Sequence, residues 1–172
     1  HWWSHHKTRT GINYYQEGGM LHPHLDASTA FQRALMTWAS WVDQHIDAGR
    51  TQVFFQSLAP SHFREGRWDS GGHCREATRP INATSLRFTY PGENVIAEEV
   101  IQQMRTPVTF LNITHPSDYR VDGHPSVYGR KSGRAHLGVQ DCSHWCLPGV
   151  PDTWNELLYF HIQSKRRNKP AG

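Results

Sequence analysis

Asp141-Cys142-Ser143-His144-Trp145-Cys146-Leu147-Pro148-Gly149-Val150-Pro151-Asp152-Thr153-Trp154-Asn155-Glu156 sets a carboxylate, an imidazole and two thiols within its first six residues, then turns through Pro and Gly toward a helix start. An Asp and a His this close can act as orienting acid and general base. A carboxylate bonded to one ring nitrogen fixes the tautomer that leaves the other nitrogen to take a proton. The stretch supplies no obvious nucleophile.

At 172 residues the chain has the length of one domain with a real core, or of part of one. Aromatic residues make up 12% and there are seven Trp, so both sugar stacking and core filling are open uses for the indoles. The pairs Trp2/Trp3 and Tyr14/Tyr15 fit a sugar groove or the edge of a core. The net charge is +3 with 13 His counted neutral, so mild acid makes the chain much more basic. The positive charge is scattered except in Lys165-Arg166-Arg167-Asn168-Lys169, which reads as a solvated tail, so nothing points to nucleic acid. No apolar run approaches the length of a membrane span.

Cys74, Cys142 and Cys146 are an odd set. The sequons at Asn82-Ala83-Thr84 and Asn112-Ile113-Thr114 point to the secretory pathway, where thiols pair. Cys74 is expected to pair with Cys142 or Cys146, and if all three are oxidised one partner lies outside the chain. The competing reading is a Cys/His zinc site built from Cys142, His144, Cys146 and His73-Cys74; its spacing is permissible, but an oxidising compartment argues against it, and no metal is expected.

From about Ser28 to Ala48, Phe31, Ala34, Leu35, Trp38, Trp41, Val42, His45 and Ile46 recur at helical spacing, with Gly49 placed as the C-terminal cap. Thr51 to Leu58 is β-prone and ends before Pro60; His62, just beyond, lies where α/β folds place ligand sites. Tyr14 to Gly19 and Trp68 to Cys74 read as loops. A second helix is expected over Glu93 to Met104, with Val95, Ile96, Val100 and Met104 on its apolar face, and a second strand over Val108 to Ile113. Asp118 to Gly138 reads as loop. A final helix begins after Pro151, capped by Asp152 or Thr153, with Trp154, Leu157, Leu158 and His161 on one face. Helix, strand, helix, strand at these spacings predicts an α/β fold with parallel strands joined by crossover helices.

The block from Asp141 to Gly149, followed by Asp152-Thr153-Trp154-Asn155-Glu156, closely resembles the C-terminal block of the plant trichome-birefringence-like proteins, polysaccharide O-acetyltransferases of the PC-esterase group. His1-Trp2-Trp3, Tyr15-Gln16-Glu17-Gly18, Trp68-Asp69-Ser70-Gly71-Gly72-His73-Cys74 and His124-Pro125-Ser126-Val127-Tyr128 follow the family's order, so the likeness covers essentially the whole chain. It implies an SGNH-hydrolase-like three-layer α/β fold with a parallel central sheet, residues 1–172 being the C-terminal part of a single catalytic domain, incomplete at its N-terminus. Asp141 would be the orienting acid and His144 the base. They serve a Ser in a Gly-Asp-Ser motif that occurs nowhere in these 172 residues. Alone, such a piece is expected to be marginally stable and inactive, since a sheet lacking a central strand exposes apolar surface.

The resemblance further implies an acyl-Ser mechanism that moves acetyl onto hydroxyls of a plant cell-wall polysaccharide, xylan first, from acetyl-CoA or another acetyl carrier, with no bound cofactor. Trp2, Trp3, Tyr15, His62 and Trp145 are candidates for the glycan contacts. It places the enzyme in the Golgi lumen, held by an N-terminal membrane anchor outside this chain. Two other readings use the same scaffold: an acetylesterase with water as acceptor, and a non-catalytic wall-glycan-binding protein, which would not need both Asp141 and His144.

Overall fold

In the computed structural model, the described residues are 8, 10–86, 89–128 and 140–167, with 165–167 described by backbone alone. Trp2, Trp3 and the end of the basic tail lie outside them. The chain forms two compact units, one of His1–Phe55 with Tyr90–Phe110 and one of Gln56–Thr89 with Leu111–Gly172.

The first unit opens with a hairpin where the sequence reads as loop. β1 (Gln16–Glu17) and β2 (Met20–Leu21) pair antiparallel, Gln16 opposite Leu21 and Glu17 opposite Met20. Gly18-Gly19 explains the difference: with Gly18 at φ 56 the chain reverses in two residues, and the flanking segments meet. α1 (Ala27–His45) follows, its N-terminus capped by Asp26, whose carboxylate accepts from the Thr29 N–H at 3.0 Å. The helix stops short of Gly49, because Ile46 is already extended at φ −100, ψ 122, with its N–H on Val42 O. Gly49 instead sits in the next turn, donating to Asp47 Oδ1.

Helix α1 buries Ala30, Leu35, Ala39 and Val42, while Trp41, one of its periodic aromatics, faces solvent and stacks on His45 at 5.1 Å. α2 (Gly92–Gln102) buries Asn94, Ala97 and Val100. Val95 is exposed, so the buried face is rotated from the one the larger residues mark, with small Ala97 at the contact with α1. Leu35, Ala39, Ala97 and Val100 form the centre, and Phe31, Trp38, Phe55, Ile96, Met104 and Phe110 pack around it. Close approach through alanines lets large rings close the sides.

β3 (Val53–Gln56) and β4 (Val108–Leu111) pair as a two-stranded parallel sheet, with α2 as the crossover between them. Phe55 and Phe110 stack across the pair at 6.0 Å, the cross-strand contact that burial on a helix favours. Both strands are shorter than their β-prone sequences. Asp43 closes the unit, its carboxylate accepting from the Arg105 and Thr106 N–H groups at 3.0 and 2.7 Å.

In the second unit the end of the strand run is redirected by Ser57. Its buried hydroxyl oxygen accepts from the N–H groups of Ile113 and Thr114, at 2.9 and 3.1 Å, and its proton goes to Thr114 Oγ1 at 2.8 Å, the Thr114 hydroxyl donating in turn to Leu58 O. The chain thereby turns at Ile113 into α3 (Thr114–Asp118), a five-residue helix that hydrophobic periodicity is too short to announce. α4 (Val150–Arg167) begins at Val150, ahead of the expected caps. Pro151 is tolerated in a first turn because its missing N–H needs no helical partner there, and Asp152 reaches back to accept from the Gly149 N–H at 2.6 Å. Trp154, Leu157, Leu158 and His161 are half-buried on the shared face the spacing predicts. Trp154 Nε1 donates to Ser117 Oγ at 2.8 Å, joining α4 to α3.

Candidate active site

The loop 140–146 is fastened at several points before any chemistry is considered. Ser126 and Asp141 exchange both backbone hydrogen bonds, at 2.8 and 3.1 Å. The buried Gln140 Oε1 accepts from the N–H groups of Cys74 and Arg75 and from Ser126 Oγ. Cys74 and Cys142 are joined by a disulfide and both are buried, Cys142 fully. The His62 N–H donates to Cys142 O, and the Cys146 N–H to Gly123 O, each at 2.9 Å.

The pairing left open by the sequence is therefore Cys74 with Cys142. Cys146 carries a free, exposed thiol and contributes to the loop's fastening through its backbone N–H alone. The bridge also takes up two of the three thiolates that the zinc reading requires.

On this fastened loop Asp141 and His144 meet. His144 Nδ1 lies 3.0 and 2.9 Å from the two Asp141 carboxylate oxygens. Asp141 Oδ1 also accepts from the backbone N–H groups of Ser143 and His144, at 3.3 and 3.0 Å. Burial works against the Asp141 carboxylate, but the hydrogen bonds from His144 N–H, Ser143 N–H and the His144 ring outweigh it, and its pKa lies below the ordinary value. An ionised Asp141 requires Nδ1 of His144 to carry the proton. Nε2 is then the basic atom, on a side chain 77% exposed.

Behind the loop lies a second chain of polar groups. His124 Nδ1 is 2.6 Å from His144 O, His124 Nε2 is 2.7 Å from His62 Nδ1, and His62 Nε2 is 3.3 Å from Asp118 Oδ1. A carbonyl only accepts, so His124 Nδ1 donates, its Nε2 accepts, and His62 Nδ1 donates to it. The last link, to Asp118, closes when His62 takes up a proton. Burial pushes that ionisation down and Asp118 pulls it up, with a net lowering; burial also lowers His124. Trp145 covers both rings, with centroids 4.3 Å from His124 and 5.8 Å from His62, and meets Trp154 edge-on at 5.6 Å.

The structure thus gathers Asp141, His144, Trp145 and His62 in the second unit. His62 is only 10% exposed at the side chain, with both nitrogens turned to protein partners. Tyr15 belongs to the first unit, where its hydroxyl donates to Thr8 O and its ring lines a cleft of about 330 Å³ with Glu17, His22 and Arg33. Asn82 is exposed in a turn, its Oδ1 accepting from Thr84 Oγ1 and the Ser85 N–H. Asn112 is exposed directly after β4, although the Thr114 of its sequon is buried.

His124, Asp118 and Gln140 are participants that sequence reasoning did not single out. His124 opens the segment His124 to Tyr128, where a His followed by Pro in a polar loop is its sequence signal. Nothing local marks Asp118, because its partner is 56 residues away.

Residues 1–161 match the model of a family described as PC-Esterase, a GDSL/SGNH-like acyl-esterase family found in Pmr5 and Cas1p. Over 167 residues the chain is 60% identical to protein trichome birefringence-like 6 of Arabidopsis thaliana, with 96% of the chain and 35% of that protein covered. It is 47% identical over 170 residues to protein trichome birefringence-like 1 of the same plant (96% and 31% covered), and 48% identical over 167 residues to protein trichome birefringence (94% and 28%). The chain spans about a third of the length of these curated relatives. With a family model matched along nearly all of it, the chain belongs to the PC-esterase family of GDSL/SGNH-like acyl-esterases.

Proposed function

We propose that this chain carries the acid and base of a serine-type polysaccharide O-acetyltransferase, and that the nucleophilic Ser lies in sequence outside these 172 residues. The observation that carries the reading is the Asp141 carboxylate at 2.9 Å from His144 Nδ1, held there by two backbone N–H groups. Family membership and the trichome-birefringence-like relatives support acyl chemistry on an SGNH-like scaffold. They also make a cell-wall polysaccharide, xylan first, the acceptor to test, and the Golgi lumen the compartment. Among the described residues no helix is long and apolar enough to cross a membrane.

In this mechanism His144 Nε2 takes the Ser proton as Ser Oγ attacks the acetyl carbonyl of an acetyl carrier. The carrier leaves with that proton, giving acetyl-Ser and neutral imidazole. A sugar hydroxyl then gives its proton to Nε2 and attacks the acetyl-Ser, and the proton passes to the departing Ser Oγ. Asp141 stabilises the imidazolium formed in each half-reaction. Trp145 is a candidate for packing the glycan beside the base.

An acetylesterase would use the same residues with water as acceptor, and the 77% exposure of His144 keeps that reading open to the same assay. In the full-length protein, acetyl transfer from a carrier to xylo-oligosaccharide is read by mass spectrometry beside free acetate release. Asp141→Asn and His144→Ala are expected to lose turnover by about 10⁴-fold, as for triad members elsewhere. Full transfer by His144→Ala would sink the assignment, and acetate release without transfer would favour the esterase. Glycan binding unchanged in a protein with neither activity would favour a binding role.

A further inference from the structure

We infer that His124 is a positioning residue for the base: it holds the backbone of His144 through a Nδ1–H tautomer imposed by His62. The inference rests on the reading of His144 as the base. The polar atoms of residue 144 are fixed by different parts of the chain. Its N–H and ring Nδ1 go to Asp141, three residues back, at 3.0 and 2.9 Å, while its carbonyl oxygen goes to His124 Nδ1 at 2.6 Å. The first two contacts are made within the loop and travel with it. The contact to His124 ties the His144 peptide to a different, buried segment of the unit.

The order of donors makes the tie directional. His144 O accepts, so His124 must present Nδ1–H, whereas a neutral histidine in water favours the Nε2–H form. His62 supplies the bias by placing a donor, Nδ1–H, 2.7 Å from His124 Nε2, where an N–H on His124 would collide with it. His62 is in turn held by its own backbone N–H to Cys142 O, and Asp118 faces its far nitrogen, a contact that becomes a hydrogen bond only when His62 is protonated. Trp145 packs against both rings, and both side chains are largely withdrawn from solvent. The groups facing this pair are thus Asp118, Trp145 and the His144 carbonyl, with the charges of Asp122, Asp141 and Arg64 further out.

A base misplaced by about 1 Å loses on the order of 10²-fold in rate, and loss of a group that orients a functional histidine costs about 10- to 100-fold. In the full-length enzyme His124→Phe keeps a ring against Trp145 and deletes the donor; kcat is expected to fall about 10- to 100-fold with KM unchanged. His124→Asn, whose side-chain amide places a donor near the position of Nδ1, is expected to recover most of the loss.

The tautomer itself is read by ¹⁵N NMR of the histidine-labelled full-length protein, which needs no variant to fold. His62 and His124 are both expected as Nδ1–H above their titration. His124 found as Nε2–H overturns the inference, as does wild-type kcat in His124→Phe while His144→Ala is inactive. A fully active His144→Ala overturns instead the reading of His144 as the base, so the two failures are distinct.

Discussion

Removing the Cys74–Cys142 bridge is expected to destabilise the protein by several kcal/mol and to reduce activity in step. The two half-cystines are 68 residues apart in sequence, so the bridge closes a long loop of the unfolded chain. Loop-closure entropy for that length is about 4.4 kcal/mol at room temperature, near the top of the roughly 2–5 kcal/mol found when native disulfides are removed. The paired variant Cys74→Ala/Cys142→Ala also leaves two small voids, since both residues are buried. With a urea slope of about 2 kcal/mol per M, the midpoint of equilibrium unfolding drops by about 2 M.

The control is Cys146→Ala, which removes a free, exposed thiol and is expected to stay within about 0.5 kcal/mol of wild type. Both proteins are compared without reductant, following the Trp emission, to which Trp145 and Trp154 contribute. Two results would refute the reasoning: a loss under about 1 kcal/mol for the double variant, or a large loss confined to Cys146→Ala, which would assign the bridge to the other cysteine. Because Cys142 adjoins Asp141, residual activity of the folded double variant should also be lower than that of Cys146→Ala.

Gly123→Ala places a methyl 2.8 and 2.9 Å from two ring carbons of Trp145 and 3.0 Å from Val150 Cγ2, so a loss of about 1–3 kcal/mol is expected from thermal denaturation, together with quenched or shifted Trp emission. His73 sits between Glu76 and Glu65, at 2.8 and 3.1 Å, and those hydrogen bonds raise its pKa; the hydrogen bond from Arg75 is the main cause that lowers Glu76 to about 2, with His73 contributing. The raised His is a tie present below the unfolded imidazole value and lost as pH rises through the folded one. The lowered Glu is a tie present above the unfolded carboxyl value and lost as pH falls toward about 2. Hydrogen-exchange protection of the loop 64–76 should therefore be greatest between roughly pH 4.5 and 6.5, and an NMR titration of His73 with a midpoint below the ordinary imidazole value would contradict this.

Helices α1, α2 and α4, strands β3 and β4 and the Asp/His pair are legible in the sequence because each is a local pattern, whereas the two-residue strands β1 and β2 and the five-residue α3 are too short to form one. Nineteen residues of α1 repeat the helical spacing, β3 and β4 are runs of β-branched and aromatic residues, and Asp141 and His144 are three residues apart. The misses come where a distant group decides. Trp41 shares α1's periodicity yet faces solvent, and Ala97 rather than Val95 meets α1, because the packing partner chooses the face. The turn into α3 depends on Ser57, 56 residues before Ile113, and the choice of Cys142 over Cys146 depends on where Cys74 arrives. The helix ends failed for a nearer reason: Ile46 adopts an extended conformation before Gly49 is reached, and Pro151 is compatible with a first turn.

The same division bears on how the site would fail. The Asp141–His144 contact spans three residues, so it survives in any state that keeps the loop's own turn, and replacing either residue removes chemistry while leaving few other contacts to lose. The contacts that place this pair are different in kind: Cys74, His124 and His62 reach its loop from segments 20 to 80 residues away in sequence, Gln140 beside Asp141 ties the loop to Cys74 and Arg75, and most of these groups are buried. Substitutions there carry a stability cost and a rate cost together, since a buried donor or acceptor left unpaired costs about 1–3 kcal/mol. His124→Asn is informative because it separates the two effects, retaining a donor toward His144 while surrendering the ring that Trp145 covers. A variant that is less stable yet nearly as fast would locate the function of His124 in the direction of one hydrogen bond rather than in the packing of the unit.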